Sequence, residues 1–208
     1  VIFITKDKMR FQEWYLNKIN INILHRYSKG ENQVIAFIDS GISREMYNNL
    51  ESKILSLYNV VDDIENNIES IIDYHGHGTQ MVSLTSYSNN DFCGIAPLAK
   101  LIIIKSFDND GRTSNDYLKK SIDYAVNKGA TIINISSGGY ISDKGVEKSI
   151  KTAINKNISI VASAGDYDDR DLLFPANING VISVAGIDEK GNKWEYSNFD
   201  NNCILAFP

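Results

Sequence analysis

The 208 residues of the chain, 43% hydrophobic and 10% aromatic, suffice for one domain with a proper core. A net charge of -5 and a pI near 5.2 argue against nucleic acid as a partner, because phosphate binding needs a surplus of Lys and Arg on one face. The longest apolar runs, residues 101–104 and 158–162, fall far short of the ~20 residues that span a bilayer.

The opening VIFITKDKMRF has neither a charged start leading to an apolar stretch nor a small-residue cleavage site, so it does not read as a signal peptide. Val1 in place of an initiating Met points to a processed or cropped end. Along the chain, VIAFID at 34–39 reads as a buried strand. The polar DDIENNIES at 62–70 and SYSNND at 86–91 read as surface excursions, with helical spacing at Val82 and Leu84 between them. A second strand follows as LIIIKSF at 101–107. A helix over 114–130 opens on Ser114 as N-cap, carries Tyr117, Leu118, Ile122, Ala125 and Val126 as a stripe, and closes at Gly129. Next come TIINIS at 131–136, a helix over 144–156 with Val146, Ile150, Ala153 and Ile154, ISIVASAG at 158–165, and VISVAG at 181–186. Continuous rather than alternating apolar strands imply burial on both faces. Strand and helix in alternation imply an α/β fold: a parallel sheet with helices on both faces. Cys93 and Cys203, in FCGIA and NCILA, form no metal-like pair and are expected as buried free thiols.

In such sheets chemistry gathers where loops leave the carboxyl ends of strands. That rule selects Asp39, residues 136–139 and residues 164–166. Asp39, at the end of a strand in IDSGI, suits the acid of a catalytic triad, a phosphoryl acceptor or a loop cap. His77 stands between Gly76 and Gly78 ahead of a helix, where glycine lets the backbone bring an imidazole close to a partner.

Taken in order, VIAFIDSGI, GHGTQMVSL, CGIAPLAKLIIIKSFDNDG, INISSGG, VASAGDYDD, FPANINGVISVAGID and YSNFDNNCILAFP resemble the subtilisin-like serine proteases, the subtilases, over nearly the whole chain. EWYLNKINI with KGENQ resembles the lead-in helix and turn of the same family. The resemblance implies a three-layer fold, incomplete at the C-terminus, with residues 1–208 as a single truncated catalytic domain. It implies Asp39 as triad acid and His77 as general base, since a serine hydroxyl attacks only when a neutral imidazole takes its proton and a carboxylate orients that imidazole. Ser136, Ser137 and Gly138 resemble the strand that pairs with extended substrate, and Ala164 and Gly165 the opposite pocket wall. Peptides or proteins are then the substrates, with its own propeptide a further partner, no cofactor or metal assigned, and a monomer expected.

Two departures from the family's pattern stand out. No serine here has the GTSMA-like context of the nucleophile, so that serine is expected beyond Pro208 and the present segment alone is expected to be inactive. Asp166 occupies the position where the family usually has an asparagine that donates to the oxyanion, and a carboxylate donates only when protonated. Some prohormone-processing subtilases carry the same aspartate. The alternative reading is a pseudoprotease that binds without cutting; a phospho-acceptor role for IDSG fits the GHGT segment poorly. Asp168, Asp169 and Asp171 in YDDRD read either as a solvated loop or as an acidic rim favouring a basic side chain. Calcium, which many subtilases bind, would have Asn89, Asn90 and Asp91, a single carboxylate where six or more oxygens are usual. Secretion or the cell envelope is the expected location, the cytoplasm the alternative.

Overall fold

The computed structural model describes residues 14–90 and 92–207. The VIFITKDKMRF start, Glu13 of the lead-in segment, Asp91 of the polar loop and Pro208 lie outside them. The lead-in helix is two short ones, α1 (Trp14–Lys18) and α2 (Ile21–Leu24), because Asn20 takes a left-handed backbone (φ 53°) between them. The chain then forms β1 (Val34–Asp39), α3 (Arg44–Leu50), β2 (Ile54–Asn59), β3 (Ile64–Glu65) and α4 (His77–Ser86). There follow β4 (Lys100–Lys105), α5 (Asn115–Asn127), β5 (Ile132–Ile135), α6 (Lys144–Asn155), β6 (Ser159–Ser163), β7 (Ile182–Gly186) and β8 (Leu205–Phe207). These strands form one sheet in the order β3-β2-β4-β1-β5-β6-β7-β8, parallel throughout except for the β2–β3 pair.

The helices begin where their caps demand. Ser114 Oγ accepts from Tyr117 N at 3.2 Å and Asp143 Oδ1 from Val146 N at 2.9 Å, each satisfying a donor the first turn would otherwise leave bare. Leu118, Ile122 and Ala125 of α5 and Val146, Ile150 and Ala153 of α6 then pack on one face of the sheet, against Ala36, Ile38, Ile133, Ile135, Ile160 and Ala162. On the other face, α3 and α4 supply Leu50 and Val82 to cover Ile35, Phe37, Leu101 and Ile103. That cover ends at β1. Ile132, Asn134, Val161, Ser163 and Val184, which share this face through strand register, are only half-buried and line a cavity of about 1080 Å³.

The 62–70 stretch lies at the surface as expected, with β3 exposed within it. The expectation for the cysteines needs amendment. The thiols of Cys93 and Cys203 are free, but Cys93 is exposed and Cys203 half-exposed, and Ile204 and Leu205 beside Cys203 are exposed with it.

Candidate active site

β1 and β4 are parallel neighbours that end together, with Asp39 in register with Lys105. Their following loops therefore meet at one end of the sheet, where α4 begins with His77. His77 Nδ1 lies 2.8 Å from Asp39 Oδ1. Asp39 is 4% exposed, whereas the His77 side chain is 38% exposed and lines the cavity. An ionised carboxylate can only accept, so neutral His77 carries its proton on Nδ1. That leaves the Nε2 lone pair free, with Asp39 the ring's hydrogen-bonded side chain among the described residues.

The carboxylate is held asymmetrically. Oδ1 also accepts from Ser40 N at 2.8 Å and Ser40 Oγ at 3.3 Å, while buried Oδ2 has no partner among the described residues. Ser40 Oγ in turn accepts from Gly78 N at 2.9 Å, which ties the residue after the acid to the residue after the base. Gly78 permits this approach: a Cβ there would sit 2.5 Å from Gly41 O and 3.2 Å from Asp39 Cβ. The hydrogen bond to Asp39 raises the His77 pKa above its ordinary value, helped by the charges of Asp39 and Asp73 and opposed by burial.

Asp73 fixes the start of α4. Its carboxylate accepts from Gly76 N (2.7 Å), Thr79 N (2.9 Å) and Thr79 Oγ1 (2.6 Å). Burial pushes its pKa up, but hydrogen bonds from Thr79, Gly76 and Ser40 outweigh this and hold it below the usual carboxylate value. A carboxylate at a helix N-terminus also meets the positive end of the helix dipole.

The cavity gathers most of the residues expected from sequence: Asp39, His77, Ser136, Ser137, Gly138, Gly165 and Asp166 all line it. Ala164 does not. Strand alternation turns its methyl to the opposite face, where it is fully buried beside Leu172 and Ala185, and its N–H and C=O bond Val184 and Leu173. The glycines also prove to serve packing: a Cβ on Gly138 would lie 2.7 Å from Leu173 Cβ, and one on Gly165 (φ +115°) 2.7 Å from Leu173 Cγ. Leu173 is thus wedged between the two walls, which Gly139 and Phe174 stitch together with paired 2.9 Å backbone bonds.

Asp166 is exposed, and its carboxylate makes no hydrogen bond or ion pair among the described residues. Nearby Asp168 is neutralised by Lys193 at 2.7 Å, which reduces the acidic rim. Asn198, fully buried, holds the loop's shape: it accepts from Tyr167 N (2.8 Å) and Asp169 N (3.2 Å) and donates to Asp171 O (2.8 Å). Asp73, Lys105 and Asn198 were not singled out from sequence. The available signals were a carboxylate four residues before His77 and a charge ending an otherwise apolar strand. No group of three His, Cys, Asp or Glu side chains gathers to hold a metal among the described residues. None of the described helices is long and apolar enough to cross a membrane.

Comparison with known proteins agrees with this geometry. The chain is 31% identical over 188 residues to the intracellular serine protease of Paenibacillus polymyxa, covering 87% of this chain and 57% of that protein. It is 30% identical to the major intracellular serine protease of Bacillus subtilis (86% and 59%) and 28% identical to thermitase of Thermoactinomyces vulgaris (87% and 64%). The chain thus spans roughly three-fifths of these relatives' lengths. Residues 30–208 match the subtilase family, and with the fold and the paired Asp39 and His77 at the carboxyl end of its sheet, the chain belongs to that family.

Proposed function

We propose that this chain is the acid–base portion of a subtilisin-type serine endopeptidase, with Asp39 as triad acid, His77 as general base and the serine supplied by a segment beyond Pro208. The observation that carries the reading is the 2.8 Å contact between His77 Nδ1 and a buried Asp39, with the opposite edge of the ring on an open cavity. In the reaction, Nε2 takes the serine proton as the oxygen attacks the scissile carbonyl carbon. Asp39 stabilises the imidazolium, which then gives the proton to the leaving amine; water repeats the sequence on the acyl-enzyme. Extended substrate lies along Ser136–Ser137–Gly138, with Gly165 and Asp166 across from it.

The unpaired Asp166 carboxylate favours a second reading, a subtilase-fold protein that binds peptide without cutting it, because an ionised carboxylate repels an oxyanion. Fluorophosphonate labelling of the full-length protein separates the two. The protease reading expects labelling that His77→Ala abolishes; no labelling of the native protein overturns it.

A further inference from the structure

Lys105 is 6% exposed, a rare position for a lysine unless its charge is compensated. Burial pushes its pKa down, opposed by the negative charges of Asp73, Asp62 and Asp108. Its Nζ finds three acceptors, Ser40 O at 3.0 Å, Ile72 O at 3.2 Å and Asn109 Oδ1 at 3.3 Å, which match the three donors of an ammonium. The acceptors come from three loops: after β1, before α4 and after β4.

Two of those loops lead directly to one partner each of the dyad. Ser40 donates both its N–H and its hydroxyl to Asp39 Oδ1 and accepts from Gly78 N. Ile72 immediately precedes Asp73, whose carboxylate fixes the first turn of α4, where His77 stands. We propose that Lys105 is a positioning residue for the Asp39–His77 pair, a buried ammonium that locks the loop after β1 to the start of α4 and so keeps the imidazole on the carboxylate. The third bond extends the same lock to the loop after β4, where Gly111 packs on the ring of His75, itself edge-on to His77 at 6.3 Å. Two carbonyls from separate loops converge on one cation, so removing it frees both sides of the dyad at once. A lysine that merely filled space would stabilise the fold without affecting the tautomer of His77. The effect on turnover rests on the protease reading above; the effect on the His77 ring does not.

The test uses the full-length protein labelled with ¹⁵N-histidine, comparing native protein with Lys105→Met, which keeps the length and loses the charge. The tautomer of neutral His77 is read from its ring nitrogen shifts, assigned by their loss in His77→Gln, with folding checked by circular dichroism. The native ring is expected as the Nδ1–H tautomer and the variant as a mixture with Nε2–H. In peptide hydrolysis kcat is expected to fall roughly 10- to 100-fold with KM changed by less than about threefold. An unchanged tautomer with kcat within about twofold of native overturns the proposal, whatever happens to the melting temperature. If Lys105→Met does not fold, Lys105→Leu, which likewise has no donor, is read in the same way, and an unchanged tautomer again overturns it. A tautomer change in the variant, when the native protein hydrolyses no peptide, overturns the protease reading and supports the positioning role.

Discussion

The two faces of the sheet divide the work of the molecule. On one, α5 and α6 press a continuous layer of isoleucine, valine and alanine against β1, β4, β5 and β6, and almost every side chain there is fully buried. On the other, cover stops at β1, the strands beyond it stay half-exposed, and the residues with chemistry stand at the edge of the resulting cavity. The same strands serve both faces, so residues adjacent in sequence belong to different roles. Stability is concentrated on the closed face, which leaves the open face free to carry groups that pack poorly, such as Asp39 Oδ2 and the Asp166 carboxylate, neither of which has a hydrogen-bond partner among the described residues.

The sharpest break between the faces is expected at His77. In the full-length protein, His77→Ala should lower peptide hydrolysis on the order of ten-thousand-fold or more while shifting the melting temperature by only a few degrees, as expected for a half-exposed side chain. Parallel measurement of turnover and thermal unfolding checks both halves. A collapse in stability equal to that of a core substitution would erase the distinction drawn between the faces.

A pair of neighbours tests the same division energetically. Ile133 faces the helices and is fully buried, whereas Ile132 faces the cavity and is half-buried. Ile133→Ala should cost about 2–5 kcal/mol, for lost transfer energy and the cavity left behind. Ile132→Ala should cost about half of that, because its surroundings already open to water. Urea titrations of the two variants decide it, and equal costs would mean that the open face is as well packed as the closed one.

How far the sequence disclosed this division depends on what each face asks of its residues. VIAFID, LIIIK and the helix stripes of α5 and α6 were legible because complete burial demands unbroken apolar runs and 3.6-residue spacing. β2 escaped notice: Ser56 and Asn59 interrupt its apolar pattern, and they are buried only because Tyr124, Asn66 and Asp62 satisfy them. Asp39 and His77 were legible through their strand-end and glycine contexts. Lys105 was not, since a lysine ending a strand ordinarily reaches solvent, and only the convergence of Ser40 and Ile72 reveals its place. The place of Ala164 is hidden for the opposite reason: the run VASAG shows small residues but not which of them alternation turns toward the cavity.

A smaller effect is expected at the cap of a closed-face helix. Ser114→Ala removes the acceptor for Tyr117 N and should cost about 1 kcal/mol. The loss should appear in the urea midpoint and leave turnover within roughly twofold, since the helix it caps packs on the face away from the dyad. A large loss of turnover would show that the faces are coupled through the sheet.

The smallest effect concerns protons, and here stability and activity are expected to run in opposite directions. The folded pKa of His77 lies above its unfolded value of about 6.5, so the folded state binds the proton more tightly. Its contribution to stability is fully present below the unfolded pKa and disappears as pH rises through the folded one. The ring is substantially exposed, so solvent screening keeps the gain modest. Comparing urea midpoints of the native protein and His77→Gln should show a native advantage near pH 5.5 that shrinks by pH 9. Turnover requires the neutral ring and should rise over the same interval, with an apparent pKa above the ordinary histidine value. A native advantage that grew with pH would mean that the folded state favours the neutral ring, so that burial outweighs Asp39 in setting the His77 pKa.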